Sequence, residues 1–185
     1  MSGNTDDHDD ALATHPPDLR PLIVTARMDD DAQATFNALR KAHFPPDRNW
    51  LSAHVTLFHA LPGSERSDIE QVIGQETGIG GGLSATVNEV RFMGSGVSFG
   101  LDSPGLKDLR GSLARCMAPW LTRQDQQGFR PHVTVQNKVP ADIARALHAQ
   151  LSSSFNPWTF SVTGLDLWHY DGGPWVPAAA FPFRP

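Results

Sequence analysis

Two short segments of this 185-residue chain place an imidazole and a hydroxyl at the same spacing. His54-Val-Thr56-Leu and His132-Val-Thr134-Val lie 78 positions apart, and each is typical of a β-strand. Because successive side chains of a strand alternate faces, each histidine shares a face with its threonine, and the aliphatic residues face a core. Imidazole titrates near neutral pH, and a hydroxyl can hydrogen-bond a phosphate oxygen. Two such pairs facing one cleft would flank a phosphodiester from both sides.

The chemistry that these groups could perform is hydrolysis of a phosphodiester. This reaction needs a base for water, an acid for the departing oxygen, and donors for the charge on the phosphorane. Two histidines can divide the proton transfers while the two threonine hydroxyls donate to the non-bridging oxygens. We favour His132 as base and His54 as acid, and the symmetry of the motifs leaves the reverse assignment open. In either case the rate is expected to be bell-shaped in pH.

Strand alternation also indicates residues that could bind substrate. Three polar side chains share the parity of His132 and Thr134 and are predicted to project toward the same face, although only the nearest can touch the reacting phosphate. They are Arg130, Gln136 and Lys138.

The first motif strand continues with an aromatic residue and a further histidine. Phe58 shares the parity of His54 and is predicted to be a stacking platform for a base. His59 has the opposite parity and is predicted to be structural. A single His-x-Thr in a strand is more often a surface or hydrogen-bonded histidine than a catalyst. Two copies with the same apolar pattern favour catalysis.

The elements around the motifs occur twice in the same order: strand, helix, motif strand, helix, strand. This order indicates an internal duplication with halves at about residues 22–93 and 97–170. The clearest amphipathic signal is a helix that Ser103 caps and Pro104 begins. A pseudo-two-fold axis would bring the two motif strands together across a groove.

Composition limits the class of protein. With 39% hydrophobic residues, the chain can build a sizeable core, and residues 19–185 are predicted to form one domain. The first 18 residues are polar, acidic and proline-containing, which predicts a disordered tail. Five of the acidic residues behind the net charge of −5 lie there, and the remainder is electrically balanced. The absence of a basic field argues against broad binding to long nucleic acid and favours a small substrate or a strand end.

Several other classes of site and location fit the sequence poorly. Zinc sites need three or four converging ligands, and neither motif strand has a second ligand at suitable spacing. The glycine-rich segment 78–82 precedes a strand, where a dinucleotide loop would follow one, so no metal and no cofactor are predicted. One cysteine, Cys116, suits a reducing compartment. No leader and no long apolar run are apparent, so a cytoplasmic protein without a membrane span is predicted.

Two His-x-Thr motifs with apolar flanks, about 80 residues apart in a chain of this size, resemble those of the two-histidine (2H) phosphoesterase superfamily, particularly its 2′-5′ RNA ligase-like branch. The resemblance covers about residues 22–183. It implies a bilobal, duplicated α+β fold in which two antiparallel sheets line a central cleft and helices pack outside. It also implies metal-independent chemistry on 2′,3′-cyclic phosphates or 2′-5′ linkages. By position, its catalytic residues correspond to His54, Thr56, His132 and Thr134.

The sequence departs from the family after the second motif, where members often carry an arginine and this chain has Asn137 and Lys138. The predicted function is a phosphodiesterase that forms a 2′-phosphate, together with a reversible 2′-5′ RNA ligase activity. The alternative is a non-hydrolytic module that binds a nucleotide or RNA end in the same groove. The substrate stays open among an RNA end, a free cyclic nucleotide, a 2′-5′ oligonucleotide and an ADP-ribose cyclic phosphate. No obligate protein partner is evident, and a monomer is the default.

Overall fold

A computed structural model describes residues 18–78, 81–170 and 172–184. The predicted tail at residues 1–18 lies outside these ranges apart from its last residue. The strands in the described part of the chain are β1 (Leu22–Met28), β2 (Val55–Leu61), β3 (Leu83–Phe92), β4 (Val97–Asp102), β5 (His132–Gln136), β6 (Trp158–His169) and β7 (Val176–Pro182). The α-helices are α1 (Asp30–His43), α2 (Arg66–Thr77), α3 (Pro104–Cys116) and α4 (Ala141–Ser153).

The N-termini of α1 and α3 are capped by side chains. Asp29 accepts a hydrogen bond from the backbone of Ala32 at 2.9 Å, before the helix with acidic residues in its first turn. Ser103 accepts from the backbone of Leu106 at 3.3 Å, and Pro104 is the first helical residue. The predicted start of α3 is therefore confirmed. None of the helices in the described ranges has the length and apolar character needed to cross a membrane.

The strands pair antiparallel in the order β2-β1-β6-β3-β4-β5, and β7 adds to β6. The predicted α+β class is confirmed, but the strands form one continuous sheet instead of two. The reason is the length of β6, which has 12 residues. Its first part, 158–162, pairs with β3, while 162–169 pairs with β1 and 164–169 with β7. Strand β6 thereby joins the two groups of strands.

The two strand groups interleave the two halves of the sequence. Strand β3 belongs to the first half but pairs with β4, whereas β6 belongs to the second half and pairs with β1. The internal duplication itself stays a prediction. Strands β2 and β5, which carry the two motifs, are the first and last strands of this order, and they contact each other. The sheet therefore curls until its edges meet, and the cleft lies between them.

The core lies between the sheet and its helices. The aliphatic residues of both motifs are buried, as strand alternation predicts: Val55, Leu57, Val133 and Val135 are each at most 1% exposed. Complete burial of a side chain of this size stabilises a fold by about 1.5–3 kcal/mol. The apolar backs of the motif strands thus anchor the histidine face.

Candidate active site

A β-bulge interrupts β2 directly after the first motif. Thr56 pairs with Thr25 of β1, but Phe58 pairs with the adjacent residue Val24, so Leu57 is an extra residue. A bulge of this kind reverses the alternation of faces beyond it. Phe58 is consequently 0% exposed in the core. This corrects the parity-based prediction, because a fully buried ring cannot serve as a stacking platform for a base.

The second motif is followed by a bulge at the equivalent position. Thr134 pairs with Ser98 of β4, but Gln136 pairs with the adjacent Val97, so Val135 is the extra residue. Gln136 is only 4% exposed, and its Oε1 atom has no hydrogen-bond partner among the described residues. The side chain of Gln136 does not reach the cleft, because the bulge reverses the alternation of faces. This corrects its predicted role in substrate binding.

The other two predicted binding residues lie at cavities beside the motifs. Lys138 lines a cavity of about 770 Å³, and its backbone has a φ of 60°. Arg130 is exposed and lines a second cavity of about 330 Å³. Both volumes are typical of small-molecule sites and could hold parts of a nucleotide.

The four motif side chains are distributed crosswise over the two cavities. His54 and Thr134 line the larger cavity, whereas Thr56 and His132 line the smaller one. All four are half-buried. In the described part of the chain neither threonine hydroxyl hydrogen-bonds another protein group, so both can donate to a ligand. Each cavity therefore combines a histidine from one motif with a hydroxyl from the other.

The two motif histidines have the same local geometry. The Nδ1 atom of His54 lies 2.8 Å from the carbonyl oxygen of Ser52, and that of His132 lies 3.0 Å from the carbonyl oxygen of Arg130. A carbonyl oxygen can only accept, so Nδ1 carries the proton in both rings. In the neutral form the lone pair is then on Nε2. Both histidines therefore present the same nitrogen for proton transfer.

The environment of His54 favours its neutral form. Burial, together with charge repulsion from Arg40, His132 and His59, lowers the pKa of His54 to about 4. The indole of Trp175 lies against the imidazole, with 4.6 Å between ring centroids. At pH 7 the His54 ring is therefore predominantly neutral. In the unliganded protein this favours His54 as base, the reverse of the assignment favoured from the sequence.

A buried arginine of α1 holds the second motif strand. Arg40 is 4% exposed, and its Nη1 donates to the carbonyl oxygen of Thr134 at 2.9 Å. Its Nε donates to the carbonyl oxygen of Leu51 at 3.2 Å, and its guanidinium lies 4.2 Å from the ring centroid of Phe44. Burial lowers the pKa of Arg40. The residue was not predicted, although its position four residues after Phe36 on the buried face of α1 is a detectable signal.

A second buried arginine holds the first motif strand in the same way. Arg110 of α3 is 9% exposed, and its Nε donates to the carbonyl oxygen of Leu57 at 3.5 Å. Its Nη2 donates to the carbonyl oxygen of Asp125. Each arginine thus extends from the helix of one sequence half to the motif strand of the other. Arg110 interrupts the apolar stripe between Leu106 and Leu113, which is the signal in the sequence.

The bulge in β2 also turns His59 into the cleft. Its side chain is 45% exposed and lines both cavities, so its predicted structural role is incomplete. Its Nδ1 lies 3.0 Å from Oδ1 of Asp125, whose side chain is 0% exposed. That carboxylate also accepts from the backbone of His59 and Ala60 and from the Thr122 hydroxyl. Burial alone raises the pKa of Asp125, but these hydrogen bonds together lower it.

Asp125→Asn is expected to lower the free energy of unfolding by about 1–3 kcal/mol at pH 7, because several donors lose a charged acceptor. The folded pKa of Asp125 lies below its unfolded value of about 3.9, so the carboxylate stabilises fully above that value. The contribution is lost as pH falls through the folded pKa. Urea unfolding of both proteins at pH 7 and pH 3 should show a smaller difference at pH 3. An equal difference at both would contradict this assignment.

Comparisons with known proteins give a family for the chain and solved structures with a similar fold. Residues 28–174 match the family model of the 2′-5′ RNA ligase superfamily. Similar solved structures include TT0787 of Thermus thermophilus, with 14% identity, a TM-score of 0.65, and coverage of 89% of this chain and 98% of that one. E. coli LigT complexed with NADP+ has 18% identity, a TM-score of 0.61, and coverage of 91% and 99%.

A structure described as a phosphoesterase has 17% identity and a TM-score of 0.60, with coverage of 91% of this chain and 100% of that one. At these identities the likeness shows the fold. A search of curated proteins found no match. The family model spans most of the chain and both motifs, and the family resemblance predicted from the sequence is confirmed: this protein belongs to the 2′-5′ RNA ligase superfamily.

Proposed function

We propose that this protein is a metal-independent phosphodiesterase that opens the 2′,3′-cyclic phosphate of an RNA end or nucleotide to a 2′-phosphate, with reversible 2′-5′ ligation when a ribose 5′-hydroxyl takes the place of water. The observation that carries the proposal is the matched geometry of His54 and His132. In each ring Nδ1 faces the carbonyl oxygen two residues before it, so Nε2 is left for proton transfer. The two rings line neighbouring cavities of one cleft. A pair of titratable groups in this arrangement suits acid–base catalysis.

The proposed reaction divides the two protons between the histidines. Neutral His54 takes a proton from water at Nε2 while the water oxygen bonds to phosphorus. The bond from phosphorus to the ribose 3′-oxygen breaks, and protonated His132 gives its Nε2 proton to that oxygen. The hydroxyls of Thr56 and Thr134 donate to the non-bridging oxygens, where negative charge grows. The product is a 2′-phosphate, and the two histidines have exchanged protonation states.

The nucleoside is proposed to occupy the larger cavity. Aromatic side chains line it, among them Trp50 at 63% exposure, Tyr170 at 37% and Trp175. Exposed rings beside a phosphate site suit base stacking, which tolerates different bases. Among the similar structures, LigT has been solved complexed with 3′-AMP, which supports a nucleotide ligand for this fold.

The proposal is tested by incubating the protein in EDTA with adenosine 2′,3′-cyclic phosphate and with a short RNA that ends in a 2′,3′-cyclic phosphate. Phosphorus NMR separates 2′- from 3′-phosphate products. We expect the 2′-phosphate, at a rate that EDTA does not change. Failure to open either substrate, together with nucleotide binding, would indicate the binding module instead. Loss of turnover in EDTA would contradict metal independence.

A further inference from the structure

His59 is a third cleft histidine that the proposed proton transfers do not use. It lines both cavities, and its Nδ1 is held by the buried carboxylate of Asp125 at 3.0 Å. Asp125 accepts from Nδ1, so the orientation of the ring is determined and Nε2 is directed away from the protein core. In the doubly protonated form of the ring, Nε2 is a hydrogen-bond donor for an anion. A fully buried acid therefore holds the half-exposed imidazole of His59 in one orientation at the cleft.

The smaller cavity beside His59 is rich in cations. Arg130 is exposed, and in the described part of the chain its guanidinium has no protein partner. Arg91 also lines this cavity and pairs with Glu89. The carboxylate of Asp125 lies beneath the surface and already accepts from several donors. An anion in this cavity would therefore meet hydrogen-bond donors and positive charge.

The position of His59 along β2 separates it from the reacting phosphate. His59 comes three positions after Thr56 on β2, a distance of roughly 10 Å along an extended strand that the bulge shortens. This separation is comparable to one sugar-phosphate unit. At this separation, His59 can contact a phosphate that neighbours the reacting one in the same cavity. In a nucleotide that ends in a 2′,3′-cyclic phosphate, the remaining attachment point for a phosphate is the 5′-oxygen.

We infer that His59 and Arg130 form a binding subsite for a second phosphate, attached to the 5′-oxygen of the reacting nucleotide. This inference rests on the proposed function and specifies its substrate. The preferred substrate carries at least two phosphates and is not a cyclic mononucleotide. An internucleotide diester, a 5′-monophosphate and a pyrophosphate share the required chemistry.

The inference can be tested by binding alone, with two product-like ligands that differ by one phosphate. Isothermal titration with 2′-AMP and with adenosine 2′,5′-bisphosphate is expected to show about 10-fold tighter binding of the bisphosphate, equivalent to about 1.4 kcal/mol. In His59→Gln this ratio should fall below about threefold, because a neutral amide replaces a ring whose doubly protonated form donates from Nε2 to the phosphate while Asp125 accepts from Nδ1. His148→Gln is the matched control. His148 lies on α4, where its Nε2 contacts the carbonyl oxygen of Val90, and its ratio should stay near tenfold.

Two results would overturn the subsite: equal affinity of the natural protein for the two ligands, or a full ratio in His59→Gln. Because the measurement needs no turnover, a preserved ratio in a protein that opens no cyclic phosphate would refute the proposed function and leave the subsite standing. Competition with the 2′,3′-cyclic phosphate of a dinucleotide and with ADP-ribose cyclic phosphate then separates the sources of the second phosphate. The tighter competitor identifies whether a diester or a pyrophosphate occupies the site.

Discussion

Replacement of either motif histidine by alanine is expected to lower kcat/KM for a 2′,3′-cyclic phosphate by about 10²- to 10⁴-fold, the usual effect of losing a positioned acid or base. Because both protons move in one reaction, the double variant His54→Ala/His132→Ala should be about as inactive as either single variant. Initial rates with adenosine 2′,3′-cyclic phosphate measure this effect. His148→Ala, which removes an imidazole from α4 outside the cleft, serves as the control.

The pH dependence identifies the role of each histidine. If His54 is the base, the acidic limb of kcat/KM in the natural protein lies near pH 4, where the His54 ring becomes protonated. That acidic limb should disappear in the residual activity of His54→Ala and persist in His132→Ala. Persistence of the limb without His54 would reverse the assignment. Full activity of either single variant would refute two-histidine catalysis.

Replacement of either buried arginine is expected to cause the largest loss of stability. Arg40→Met and Arg110→Met each remove a buried donor to a backbone carbonyl of a motif strand, and we expect each to lower the free energy of unfolding by about 2–4 kcal/mol. Activity per folded molecule should also fall, because these carbonyls belong to the strands that carry the motifs. Urea unfolding and active-site titration of the folded fraction measure the two effects separately.

The matched control is Arg115→Met, because Arg115 lies on the same helix as Arg110 but is exposed. Its effect should stay within about 0.5 kcal/mol. If Arg110→Met were no more destabilising than Arg115→Met, the hydrogen bonds to the motif strand would not contribute to stability. If Arg40→Met were stable but inactive, Arg40 would contribute to the geometry of the cleft and not to the stability of the fold.

Local sequence patterns were sufficient to predict the elements that carry the site. The alternation of Val55 and Val133 with the motif residues indicated strands with a buried face, and Ser103 and Pro104 indicated the start of α3. These predictions succeeded because they depend on neighbours within one turn or one strand. The antiparallel pairing of distant strands followed from the family resemblance and not from such patterns.

The failures share a long-range cause. Phe58, His59 and Gln136 were assigned to faces by counting along a regular strand, and a bulge after each motif reversed that count. A bulge depends on the register with the neighbouring strand, which a single sequence does not reveal. The number of sheets was also misjudged, since it depends on how far β6 continues past β3 to reach β1. His59 matters most for function, because the uncounted bulge hid its place at the cleft.

Arg40 and Arg110 also affect how readily the chain can associate with other molecules through its sheet edges. Strands β2 and β5 are sheet edges, and an edge ordinarily presents free carbonyl groups to which a strand from another molecule can add. Arg40 and Arg110 donate to carbonyls on these two strands, and the curl turns both edges toward each other. The residues that hold the motifs therefore also make these two edges less available to strand addition by another molecule.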